Sequence, residues 1–485
     1  MQSGGFGALL LTAAGACSRP DQAASNDLAE LDAVETAARI KSGELNALEA
    51  VEAAIDRAER IDKKLNAIVT KTFRQARKQA PDASGPWAGV PTFIKDLDDI
   101  TGVPTGFGSR AFPGYKGGEQ TPLTNAILGL GVVSLGKSST PEFGLSATTE
   151  PVSSGKTRNP WNTDHSTGGS SGGAAALVAS GVVPIAHASD GGGSIRIPAS
   201  CCGNVGLKVS RGRNPQARSE DAVGPISLSV HGVQTRTVRD TAVVAAALAV
   251  PNSGLAPLPL ISAPTEQRLR IAVTTKGLGG AATDPEVVAA TQNVAALCAD
   301  LGHMVREEDP PIDEQLSFDF RLYWAAFARA TVKFWEETTR LPRNGMAFES
   351  FTLGLAKMYE DNEAAFPAAV ERLQATAALM QTFHERYDLI LSPVVTAPPP
   401  QIGWLGGSLD FETLMQRLTD YVQYTVLYNV TGAPAISLPL SMSASGLPIG
   451  AMFGAPIGRE DWLLGLAHEL EQASPWAGRR PAVWG

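Results

Sequence analysis

Three consecutive glycines stand immediately before one serine in "DGGGSIRIPAS", Asp190 to Ser200. Such a run costs backbone entropy and marks positive φ or the close approach of another group, for instance an anion cradled by backbone N–H groups. Ser194, the serine that follows, is a weak nucleophile at neutral pH and needs a base. Two further segments could supply the activation: Lys95 lies in "GVPTFIKD" and Ser170 in "STGGSSGGAAA". A lysine serves as a base only when neutral, so burial must bring its pKa far below about 10.4. Asp96, Asp98 and Asp99 would oppose that shift, and they are expected to point away from the Lys95 ammonium.

Competing motifs are weaker. "GVVSLGKS", Gly131 to Ser138, satisfies GxxxxGK[ST] letter for letter. A phosphate-binding loop needs its strand before the first glycine, yet the apolar run Val132–Leu135 lies between the two, so a nucleotide-binding protein is a rejected alternative. "GGSSGG" lacks an acidic residue ending a following strand, and GxSxG fails at Ser194 because Ile195 and Arg196 follow it. The four cysteines (17, 201, 202, 298) and six histidines show no metal-ligand spacing, so no metal or organic cofactor is expected, and the cysteines read as small buried hydrophobes.

The elements that must position these residues follow from periodicity and punctuation. Leu28–Lys41 reads as a helix capped by Asn26 or Asp27 and stopped at Gly43, and Leu48–Ile61 as a second with one apolar face. Short strands are expected at "VPTFIK", "VVSLGK" and "VVPIAHA", alternating with helices at "TPLTNAILGLG" and "GGAAALVASG". That alternation predicts an α/β fold around a large mixed sheet flanked by helices. "PEVVAATQNVAALCADLG" is an amphipathic helix, and residues 316–387 read as a helical, aromatic-rich insertion. The sheet resumes at "LILSPV", "AISLPL" and "LPIGAMFGA", closed by a helix over Asp461–Ala473. Phe318, Phe320, Tyr323, Trp324 and Phe327 could line a pocket or pack the insertion, and core packing is the favoured reading.

At 485 residues, 44% hydrophobic and 18% charged, the chain is globular in composition, and its net charge of −9 argues against nucleic acid as a partner. "FGALLLTAAGAC" ends in small residues and Cys17, and it resembles a bacterial lipoprotein signal with Cys17 as the lipidated residue. The organisation expected is a leader over 1–17, a linker over 18–27 and one domain over 28–485. That reading predicts export, periplasmic or membrane-anchored. A cytoplasmic chain stays open, because Ala14 sits where Leu is usual and "MQSGG" carries no Lys or Arg.

Taken together, the three segments resemble the amidase signature family from about residue 28 to 478, with further matches at "NPW" (159–161), "GLK" (206–208), "NVTGAPAISLPL" and "GLPIGAMF". The "SDGGGSIRIPASCCG" form is most similar to the branch that contains 6-aminohexanoate-cyclic-dimer hydrolase. The resemblance implies a hydrolase of linear or cyclic carboxamides working through an acyl-enzyme. Ser194 would be its nucleophile, Lys95 its base, and Ser170, after a cis bond from Gly169, the relay between them. It further implies an oxyanion hole from the backbone N–H groups of Gly191, Gly192, Gly193 and Ser194, with Ser171, Asp190 and Arg196 supporting the loop. Pocket walls would come from the insertion and from residues 398–425. Gly191, Thr167, Asn204 and Val209 depart from the family's usual residues. The expected partner is a small-molecule amide, and monomer and homodimer both stay open. A glutaminase subunit of a tRNA-dependent amidotransferase, or an inactive binding protein on the same scaffold, are the alternatives.

Overall fold

Side-chain capping decides where the first helices begin. The computed structural model describes residues 27–117, 119–215, 223–251 and 253–485, so the leader, Cys17 and residues 18–26 lie outside it. Residues 27–30 are helical as expected, but the helix breaks at Leu31 and Asp32, and helix α1 (Ala33–Ser42) starts anew where the Asp32 carboxylate accepts the Glu35 N–H. It stops at Gly43 as expected, with φ of 82°. Helix α2 (Ala47–Leu65) opens on a reciprocal cap between Asn46 and Glu49 and runs one turn beyond Ile61.

Strands β1 (Ile68–Lys71), β2 (Pro91–Lys95) and β3 (Val133–Ser138) form a small sheet in the order β1-β3-β2, with helices α3 (Phe73–Gln79) and α4 (Pro122–Leu128) between them in the chain. β1 follows the left-handed cap residue Asn66, but its four residues "IVTK" show no alternation, and periodicity does not reveal it. The chain continues through α5 (Gly172–Ala179), β4 (Ile185–Asp190), α6 (Arg196–Cys202), β5 (Val205–Lys208), β6 (Val230–Thr235), α7 (Val238–Ala247), β7 (Arg270–Val273), α8 (Pro285–Asp300) and β8 (Met304–Glu307). Three long helices follow, α9 (Gln315–Thr339), α10 (Ser350–Asn362) and α11 (Phe366–His384), at the place of the expected insertion. β9 (Leu389–Pro393), α12 (Phe411–Tyr421), α13 (Val426–Thr431), β10 (Ala435–Met442), β11 (Pro448–Gly454) and α14 (Glu460–Ala473) complete the fold.

The large sheet has eight strands in the order β4-β6-β5-β10-β11-β9-β7-β8. Pairing is antiparallel from β4 to β9 and parallel across β9, β7 and β8, so the sheet is mixed as expected. The two sheets meet where β2 lies beside β4, and side chains bridge the gap. Thr92 Oγ1 donates to Ile185 O at 3.0 Å, and the Lys95 N–H donates to His187 Nδ1 at 3.2 Å.

Helix α5 is buried along its whole length and packs against β2, β4, β6 and α6, which its Gly and Ala residues allow. At Gly173 a Cβ would meet the Ser139 backbone nitrogen at 2.4 Å. This close approach sets Ser170 and Ser171, just ahead of α5, beside the C-terminal ends of β2 and β4. Helix α9 packs along α10 and α11, and one of its faces covers the loop after β4.

Candidate active site

Lys95 ends β2 and is fully buried. Its Nζ donates to Ser170 Oγ at 2.7 Å and to Ser189 Oγ at 2.9 Å. Burial pulls the Lys95 pKa from 10.5 down to about 7, against opposition from Asp98 and Asp190. None of Asp96, Asp98 and Asp99 forms an ion pair with Lys95, although the Asp98 charge is still felt there. Asp96 lies 3.5 Å from Lys137 Nζ, and Asp98 faces His187 and His231 at 3.9 and 4.0 Å.

Ser170 follows a cis peptide bond from Gly169. Ser171 Oγ donates to Ser189 O at 3.2 Å and accepts the Ser189 N–H at 3.3 Å, tying the start of α5 to the end of β4. Asp190, the last residue of β4, takes both arms of the Arg196 guanidinium at 2.9 and 2.8 Å. Arg196, aided by Asn429, holds the Asp190 carboxyl well below the usual range despite complete burial. The same guanidinium reaches Thr425 O at 2.8 Å and Asn429 Oδ1 at 2.7 Å, so α13 is locked to the loop.

One expected donor of the oxyanion hole is otherwise engaged. The Gly193 N–H donates to Asp190 Oδ1 at 2.8 Å, because the carboxylate folds the loop back under itself. Gly191, Gly192 and Ser194 are left with N–H groups that make no hydrogen bond among the described residues. Gly193 has φ of 135°, and a Cβ there would lie 2.5 Å from Thr425 Oγ1, so only glycine fits. Thr425 Oγ1 in turn donates to Gly192 O at 2.6 Å and orients that peptide. Ser189, Thr425 and Asn429 escape sequence reasoning. A lone Ser, Thr or Asn carries no signal, although "NVTGAPAISLPL" contains Asn429.

Ser194 is 8% exposed and lines an open cleft. Ser170 Oγ and Ser194 Oγ are not hydrogen-bonded to each other in this structure. The cleft walls are mostly apolar, from Leu145, Ile197, Phe351, Leu355 and the α12 residues Met415 and Leu418. The favoured core assignment of the α9 aromatics holds for Tyr323, which is fully buried with its hydroxyl on the Ile226 backbone. It fails for Phe320 and Trp324. These rings stack at 5.7 Å and face the cleft, because a helical spacing of four puts them on one side of α9. A Cβ on Gly191 would lie 3.1 Å from the Trp324 ring, so the ring fills the space that a larger residue would take.

Lys137, the lysine of the apparent phosphate motif, is fully buried in β3 and donates to Asp98 O at 2.5 Å and Thr105 Oγ1 at 3.0 Å. The strand occupies the place of the loop, as its apolar run suggests. Asp98, His187 and His231 bring three possible ligand atoms within 4.8 Å of one another. His187 Nδ1 already accepts the Lys95 N–H, and its Nε2 faces His231 Nδ1 at 3.3 Å, which leaves neither nitrogen to ligate an ion. Cys201 and Cys202 are buried free thiols whose pKa values burial pushes up, as expected of inert packing residues.

The chain is similar to known proteins along most of its length. The chain is 45% identical over 456 residues to the AmiC protein of Mycobacterium tuberculosis (strain ATCC 25618 / H37Rv), covering 93% of this chain and 96% of that one. It is 37% identical over 480 residues to 6-aminohexanoate-cyclic-dimer hydrolase of Paenarthrobacter ureafaciens, with the same shares covered. The structure of 6-aminohexanoate cyclic dimer hydrolase complexed with substrate superposes with a TM-score of 0.85 at 34% identity, over 94% of this chain and 100% of that chain. A bacterial aryl acylamidase of the amidase signature family superposes with a TM-score of 0.82 at 28% identity, over 93% and 99%. Residues 49–464 match the Amidase family, and the chain belongs to it.

Proposed function

We propose that Ser194 is the nucleophile, Ser170 the proton relay and Lys95 the base of carboxamide hydrolysis in this amidase. The observation that carries this reading is Lys95 Nζ, buried, 2.7 Å from Ser170 Oγ and held near a pKa of 7. In the neutral form Nζ accepts the Ser170 hydroxyl proton while Ser170 takes the proton of Ser194. Ser194 Oγ then bonds to the amide carbonyl carbon, and the carbonyl π pair moves onto oxygen. The N–H groups of Gly191, Gly192 and Ser194 suit that oxyanion, and one such donor is worth roughly 100- to 1000-fold in rate. Return of the proton to the amide nitrogen accompanies C–N cleavage and releases the amine. An ester on Ser194 remains. Water then attacks it along the same proton path and frees the acid and the serine. The relay requires Ser194 Oγ to come within reach of Ser170 Oγ, a contact that tightens as substrate seats.

The apolar cleft supports amides with hydrophobic acyl or aryl groups. A cyclic dimer and an aryl acylamide, named for two of the similar proteins, both belong to that range. Residues 1–17 are proposed as an export leader acylated at Cys17, and Cys17→Ser would then move the protein out of the membrane fraction.

The test of the triad is mass-spectrometric mapping after exposure to a fluorophosphonate, with wild type and Lys95→Ala side by side. A stoichiometric adduct on Ser194, strongly reduced in the variant, supports the assignment. An adduct on another residue, or equal labelling of both proteins, overturns it.

A further inference from the structure

Among the described residues that line the cleft, Arg321 alone is charged. It lies on the α9 face that also presents Ser317, Phe320 and Trp324, the positions one and two turns apart that a helix brings into line. A guanidinium offers five N–H donors in a planar fork. Among the described residues Arg321 makes one hydrogen bond, from its Nη1 to Ser317 Oγ at 2.6 Å, and no carboxylate pairs with it.

Charges elsewhere on the same helix are matched. Arg329 meets Glu360 at 2.8 Å, and Asp319 takes Arg372 at 2.7 Å. Arg321 is partly buried, and that burial lowers its pKa from the ordinary value. A partly buried cation with no counter-ion among the described residues is costly unless a ligand supplies the charge.

Resting on the amidase reading above, we propose that Arg321 selects linear amide substrates that carry a free carboxylate a few methylenes from the scissile bond. A carboxylate matches the fork with two parallel bonds. A lone cation suits one planar monoanion, whereas a dianionic phosphate would call for further positive groups, and the described lining offers none. The placement also fits. Trp324 lies over Gly191 at the nucleophile loop, and Arg321 stands three residues earlier, about 4.5 Å along the helix axis. Phe320 and the apolar wall would contain the methylenes in between.

The experiment compares each acid with its methyl ester in wild type, Arg321→Met and Arg321→Lys. Mono-4-nitroanilides of succinic, glutaric and adipic acid place the carboxylate on the acyl side, and 4-(acylamino)benzoates place it on the amine side. The readout is the acid-to-ester ratio of kcat/KM. In wild type at least one series should favour the acid tenfold or more, the ratio should fall to about one in Arg321→Met, and Arg321→Lys should keep part of it. A ratio near one in wild type for both series, or a preference that survives Arg321→Met, overturns the proposal. Calorimetric binding of the same acid–ester pairs to the same proteins carrying Ser194→Ala gives the ratio independently of turnover. Failure of the amidase reading (no hydrolysis, no Ser194 adduct) is thereby separated from failure of the anion site.

Discussion

Lys95, the base proposed above, is expensive to charge. Its pKa of about 7 reflects burial outweighing the attraction of Asp98 and Asp190. Activity should therefore rise with pH as this one group loses its proton, with an apparent kcat/KM midpoint near 7 rather than near 10, measured with a neutral anilide. The Asp98→Asn variant removes an opposing charge, and its midpoint should move down. A midpoint that stays put would assign the titration to another group. Thr425 gives a second prediction at this scale. Its hydroxyl fixes the Gly192 peptide, so Thr425→Val should lower kcat about ten- to a hundredfold, with KM little changed and the circular dichroism spectrum intact. Serine at the same position should restore most of the rate.

At the scale of elements, α9 does two tasks with one helix. Tyr323 anchors it to the backbone of Ile226, while Phe320 and Trp324 roof the glycine loop. Trp324→Ala should raise KM for aryl amides about tenfold or more through lost apolar contact, and make room for Gly191→Ala, which in the wild-type background crowds the ring. Relative kcat/KM of the single and double variants measures that coupling. The helix itself was legible in the sequence, as were the strands that end in Lys95 and Asp190 and the glycine run between Asp190 and Ser194. The face α9 turns to the cleft was not, because aromatics at 318, 320, 323, 324 and 327 encircle much of the helix and periodicity does not say which neighbour lies where. Gly193 was misread for a similar reason. A glycine run announces backbone donors, but which of them a carboxylate five or fewer residues away will occupy depends on how the loop folds. Local signals also hid β1, whose four residues show no alternation.

For the molecule as a whole, buried bases set how stability responds to pH. His187 is held at about 3, against an ordinary 6.5, because burial disfavours the imidazolium. Between those values the unfolded chain takes up a proton that the folded chain refuses, so stability falls as pH drops from about 6.5 toward 3. Urea midpoints between pH 7 and 4 should show this slope, and His187→Gln should flatten part of it. An unchanged slope would place the loss on other groups.

The seam between the two sheets has a mechanical consequence. Lys95 rides on the three-stranded sheet and Ser189 on the eight-stranded one, and Thr92 and His187 side chains hold the two in alignment where a strand ladder would otherwise do so. A slip of a fraction of an ångström there would misalign the proposed proton path while leaving both sheets intact. In rising urea, turnover should accordingly vanish ahead of the far-ultraviolet circular dichroism, and Thr92→Val should widen that gap. The enzyme would then act as its own strain gauge, with catalysis reporting the fit of two rigid bodies well before either one melts.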